Sequence, residues 1–152
     1  MAVRNIVKNG DYALRLTAKE VTEFNKQLDT LLSDMVETML KADGVGIAAN
    51  QVGVLKQAVI VSFDDKIYEF INPQILEQSG ESDASEGCLS VPGINGNVVR
   101  PQKIKVKAKD RRGKEFILDA EDLFARIICH ELDHLKGVLF IDKAKDIVRK
   151  TD

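Results

Sequence analysis

The stretch ICHELDHLKG, residues 128–137, sets two histidines four residues apart with a glutamate directly after the first: His130, Glu131 and His134. On an α-helix each residue advances about 100°, so residues four apart lie within about 40° of each other. His130 and His134 would therefore share a face and can grip one ion. Glu131 falls beside that face, close enough to reach whatever the ion binds without itself being a ligand. Such a pattern suits metal-dependent hydrolysis, in which two imidazoles hold a divalent ion and the carboxylate moves a proton. The rival reading is a surface helix with a chance pair of histidines, but the chain has only two and both stand in this frame.

A catalytic ion ordinarily takes three protein ligands and keeps one position open. The continuation HExxHxxGxxH fails here, because Gly137 matches but Phe140 stands where the third histidine would be. A downstream glutamate fails too, since only Asp142, Asp146 and Asp152 follow. Cysteine remains. Cys129 directly precedes His130, which turns it about 100° away, and it reads as a small buried hydrophobe. Cys88 lies in EGCLSVPG (86–93), a turn-rich, glycine-flanked loop expected to fold back onto the helix. Cys88, His130 and His134 would leave a fourth position for water, the arrangement of a catalytic ion. Ligand softness and geometry admit zinc, iron(II), cobalt and nickel alike.

These residues need a scaffold. From Val21 to Leu40, apolar residues recur at helical spacing, with Thr17 and Glu20 in the form of a capping box and Asp43-Gly44 as the stop. The small residues of GVGIAANQVG (44–53) follow. Residues 58–63 and 68–76 read as strands, with Pro73 placing part of the second at an edge or bulge. Strict alternation over 104–109 and the turn Asp110-Arg111-Arg112-Gly113 predict a hairpin into 115–118. From about Ala120 to Lys136 the period is helical again, with Gly137 as its end. The order implies an α+β fold in which small antiparallel or mixed sheets surround the late helix.

The chain has 152 residues, enough for one core, and residues 1–152 read as a single catalytic domain. A net charge of −2 gives no footprint for nucleic acid. No apolar leader and no run long enough to span a bilayer occur, so the expected compartment is the cytoplasm. There the two cysteines are expected as free thiols or ligands rather than a disulfide.

Three motifs in this order, GVGIAANQ (44–51), EGCLS (86–90) and HELDH (130–134), resemble those of the peptide deformylases. The resemblance extends from NGDYALR near the start to LFID at 139–142. It implies a hydrolase that removes the formyl group from the N-terminal formylmethionine of nascent proteins, with iron(II) as the usual ion. It also implies Glu131 as the general base and acid, and Gln51 with the Leu89 backbone N–H as oxyanion donors. Gly46 and Gly87 would lie against the substrate, and Val45, Leu123, Arg126 and Ile127 would line a slot for the methionine side chain. The Arg126 stem would contribute there while its charge stays in solvent. Arg100 is expected to buttress the site through Glu86 or Asp133. Three positions depart from the usual pattern: Tyr12 for proline, Cys129 for glutamine, and Asn95 where some members carry an arginine that contacts substrate. The tail after Asp142 is short, so ribosome docking is not carried over. Two other readings stay open at this level: a zinc peptidase, and a binding module held together by a structural zinc.

Overall fold

The structure is a computed structural model and describes residues 2–149. Its fold is mixed α+β, with two α-helices and antiparallel sheets. The first helix, α1 (Lys26–Lys41), begins five residues later than Val21. The reason is tertiary. The Asn72 side chain accepts from the Val21 N–H at 2.8 Å and donates to the Val21 carbonyl at 2.9 Å, which holds that segment extended. The cap is then Asn25, whose side chain accepts from the Leu28 N–H at 3.1 Å, rather than Thr17. The buried stripe of α1 includes Leu28, Leu31, Leu32, Met35 and Met39, and it packs against Ile47, Ile60 and Ile71.

Five strands form the larger sheet. They are β1 (Gly46–Ala48), β2 (Ala58–Phe63), β3 (Lys66–Ser79), β6 (Lys103–Lys109) and β7 (Glu115–Glu121), in the order β1-β2-β3-β6-β7. A register shift between Ile71 and Gln74 accommodates Pro73, which has no N–H to give to the ladder. On β6, Ile104, Val106 and Ala108 point into the core while the alternate lysines face outward.

The loop expected at EGCLSVPG is instead the tip of a hairpin. β4 (Ser82–Cys88) pairs antiparallel with β5 (Val91–Arg100), and Leu89-Ser90 makes the turn. The third strand of this smaller sheet is β8 (Lys145–Arg149), in the tail that carries no obvious strand signal. Helix α2 (Asp122–His134) packs on β1, β2, β6 and β7 of one sheet and on β5 of the other. It is buried almost all round, from Phe124 to His134 apart from Asp133. After it the chain reverses at Gly137, whose φ of +75° suits a residue without a Cβ. Among the described residues no helix is long and apolar enough to cross a membrane.

Candidate active site

Between α2, β1 and the β4–β5 hairpin lies a cavity of about 430 Å³. Cys88 arrives from the hairpin tip, and His130 and His134 arrive from one face of α2. Their donor atoms all lie within 4.8 Å of one another. Cys88 Sγ stands 3.4 Å from His134 Nε2. His130 Nδ1 lies 2.8 Å from Glu86 Oε1 and donates to that carboxylate, which leaves Nε2 as the ring nitrogen available to an ion. Cys129 points away into the core, and burial pushes its thiol up to about 11.

Glu86, on β4 two residues before Cys88, is the electrostatic hub. It receives two bonds from Arg100, each 2.9 Å, and one from Arg126 at 2.6 Å, besides that from His130. Arg100 also reaches Asp133 at 2.6 Å, so it joins both carboxylates expected of it. Burial would raise the Glu86 carboxyl, but hydrogen bonds and charge from Arg100 and His130 outweigh it and hold the group at about 2. A group depressed below its unfolded value stabilises the fold above that unfolded pKa and loses the contribution as pH falls toward the folded one. From 4.5 to 2 this is worth about 3 kcal/mol. The stability gap between the parent and Glu86→Gln, measured by urea unfolding, should therefore narrow steadily as pH drops below about 4.5. A gap independent of pH down to 3 would contradict the depressed value.

Glu131 is 4% exposed and its Oε1 has no partner among the described residues. Burial, opposed by the neighbouring His130, pushes its carboxyl up to about 7. A carboxyl that titrates near neutrality suits a group that both takes and gives a proton. Its position depends on Gly46, because a Cβ there would overlap the carboxylate and come within 2.9 Å of Glu131 Cδ.

Gln51 sits in the short 3₁₀ turn after β1. Its Oε1 accepts from the Ala48 N–H at 2.9 Å, and its Nε2 donates to Ser90 Oγ at 3.1 Å and faces Cys88 Sγ at 3.5 Å. It thus caps its own turn and presents its amide to Cys88 in the converging Cys-His-His cluster. Leu89, Gly87, Val45, Gly46, Leu123, Arg126 and Ile127 all line the cavity. Val45 and Leu123 are exposed at the rim, whereas Ile127 is buried and also belongs to the core. Arg126 differs from expectation. Its guanidinium is not in solvent but buried, bonded to Glu86, the Val98 carbonyl at 2.8 Å and the Ser82 carbonyl at 2.5 Å. A helix packed between two sheets leaves that side chain no route to water, and the Glu86 carboxylate supplies its counter-charge.

Sequence reasoning missed the central place of Glu86 and the part of Ser90. Once 82–88 is seen as a strand, Glu86 and Cys88 share a face by their spacing of two, and that is the signal that would have exposed the first. No local signal marks Ser90.

The residues fit a divalent cation. Burial alone would lower the His130 pKa, yet Glu131, Cys88 and Glu86 together raise it to about 10, so the pocket favours positive charge at that place. Burial, with the His130 charge, drives His134 down to about 3, which keeps its ring a neutral lone-pair donor. Softness of the Cys-His-His set admits several first-row ions.

The family profile described as polypeptide deformylase matches residues 3–150. The chain belongs to the peptide deformylase family. It is 54% identical to the peptide deformylase of Thermoanaerobacter pseudethanolicus over 144 residues, which are 95% of this chain and 91% of that one. It is 48% identical to that of Carboxydothermus hydrogenoformans over 150 residues, 99% of each. Peptide deformylase from Thermotoga maritima, a solved structure, superposes with a TM-score of 0.93 at 40% identity, covering 95% of this chain and 99% of that one. Peptide deformylases remove the formyl group from N-formyl peptides, and this chain is accordingly a hydrolase acting on such substrates.

Proposed function

We propose that residues 1–152 act as one catalytic domain, with Cys88, His130 and His134 holding a single divalent ion and Glu131 moving the proton. The substrate is the formylmethionyl end of a nascent chain, which sets the work in the cytoplasm, and the ion is iron(II) by family resemblance. In this reading α2, with its HELDH segment, is the central element of the α+β fold, and α1 closes the sheet from the N-terminal side. One observation carries the assignment: three soft and borderline donors converge within 4.8 Å beside a buried carboxylate whose Oε1 has no hydrogen-bond partner among the described residues.

The bound ion would supply an acidified water and a Lewis acid for the formyl oxygen. The chain's own residues do the rest. Glu131 accepts the proton of the attacking water and returns it to the departing amine, a double duty that its near-neutral pKa favours. The Gln51 amide and the Leu89 N–H donate to the oxygen that becomes negative. Among the described residues β1 is an edge strand, paired on one side with β2. Its free edge, which starts at Gly46 and lines the same cavity as the preceding Val45 and Gly87, takes the peptide as an added strand. The methionine side chain then lies against Leu123, Ile127 and the stem of Arg126.

Formate release from a formylmethionyl peptide, set beside metal content of anaerobically purified protein, tests the whole reading. One equivalent of iron and release from formylated but not acetylated peptides are expected. Stoichiometric metal without formate, or cleavage of internal peptide bonds, would refute it. A finer test is Gly46→Ala. The added methyl should displace the Glu131 carboxylate, and a misplacement of about 1 Å costs on the order of 10² in rate. Metal content should stay intact, and a parent-like kcat in that variant would show that Gly46 does not set the position of Glu131.

A further inference from the structure

Gln51 is held by more than its own side-chain hydrogen bonds. Its neighbour Asn50 is fully buried but does not line the cavity. Asn50 Nδ2 donates to the Leu16 carbonyl at 3.0 Å and lies 3.4 Å from that of Ala13, and its Oδ1 has no partner among the described residues. The same N-terminal segment grips both ends of the Gln51–Ser90 contact: the Val7 N–H donates to the Gln51 carbonyl and the Asn9 N–H to the Ser90 carbonyl, each at 2.8 Å.

Further along, the segment is anchored past the end of α2. The Ala18 N–H donates to the Leu135 carbonyl at 2.8 Å, and Arg15 pairs with Asp142 and reaches the Gly137 carbonyl at 3.3 Å. A Cβ at Gly137 would stand 2.6 Å from the Arg15 carbonyl oxygen, so the two backbones are in close contact. Residues 7–18 therefore bind all three chain segments that carry the site.

We infer that Asn50 is a positioning residue: by bonding the N-terminal segment it fixes the direction in which Gln51 presents its amide to the reacting oxygen. The inference rests on the oxyanion role of Gln51 proposed above. Hydrogen-bond donation to a developing charge is steeply dependent on geometry. A turn freed from the Leu16 and Ala13 carbonyls lets the Gln51 amide, which also donates to Ser90 Oγ at 3.1 Å, swing out of line with the reacting oxygen.

Asn50→Leu keeps the number and branching of side-chain heavy atoms and removes both donors. Well below its unfolding temperature this variant should lose about tenfold in kcat, with KM and metal content unchanged. On a Gln51→Ala background the same substitution should cost nothing further in kcat, because residues acting through one group are not additive. Multiplied losses in the double variant, or a lowered Tm with parent kcat, would overturn the inference. A parent-like kcat for Gln51→Ala alone would overturn the oxyanion role instead, and the two failures are distinct. Should Asn50→Leu not fold, Asn50→Ser, which retains one donor, goes through the same cycle with a smaller loss expected and the same criteria.

Discussion

Glu131→Gln should release formate about 10²–10⁴ times more slowly than the parent, the usual cost of losing a general base, while keeping its metal and its fold. Glutamine has nearly the same volume and still hydrogen-bonds to water, but it accepts no proton at neutral pH. The carboxylate stands beside the Cys88-His130-His134 cluster, 4.0 Å from His134 Nε2, and is not one of the three converging donors. Metal content should therefore be unchanged. The buried carboxyl also carries a desolvation cost that the amide avoids, so thermal stability should hold or rise. Parent-rate formate release would dismiss the proton-transfer role, and loss of metal would make Glu131 a ligand.

Cys88→Ala should lose tight metal binding, while Cys129→Ala should keep both metal and activity. Loss of even an outer partner of a ligand typically costs about 10–100-fold in affinity, and loss of a direct thiolate ligand should exceed that. Cys88 is half-buried at the cavity wall with His134 and Gln51 against its sulfur. Cys129 lies in the core beneath the larger sheet with its thiol pushed up to about 11, protonated and outside the Cys88-His130-His134 cluster. Metal analysis after gel filtration separates the two cases. Stoichiometric metal in Cys88→Ala would remove Cys88 from the ligand set.

Acid and mutation should act through Glu86 as well, since Arg100, Arg126 and His130 all bond to one buried carboxylate. Removing one partner from a buried ion cluster leaves the rest uncompensated and typically costs about 3–5 kcal/mol. That cluster ties the hairpin carrying Cys88 to the helix carrying the histidines, so the geometry of the site and the stability of the fold share the same contacts.

By itself the sequence determined what depends on neighbours along the chain. The spacing of His130 and His134 puts them on one helical face wherever that helix packs, and the proximity of Cys129 to His130 turns its thiol off that face. Alternation marked β6, because a half-buried strand shows its two faces residue by residue, and the short apolar run 58–63 marked β2, whose first four residues are all buried. Tertiary structure decided everything that needs a partner from far away. The start of α1 was set by Asn72, fifty-one residues from Val21. The hairpin at EGCLSVPG gained its strands from pairing with β5, against its turn-rich composition. Arg126 was buried because a carboxylate forty residues distant neutralised it. Asn50 found its acceptors in a segment thirty-four residues upstream. Periodicity and local propensity carry no record of such contacts, since burial of a polar group is allowed or forbidden by the partner that meets it, and that partner is chosen only when the chain closes on itself.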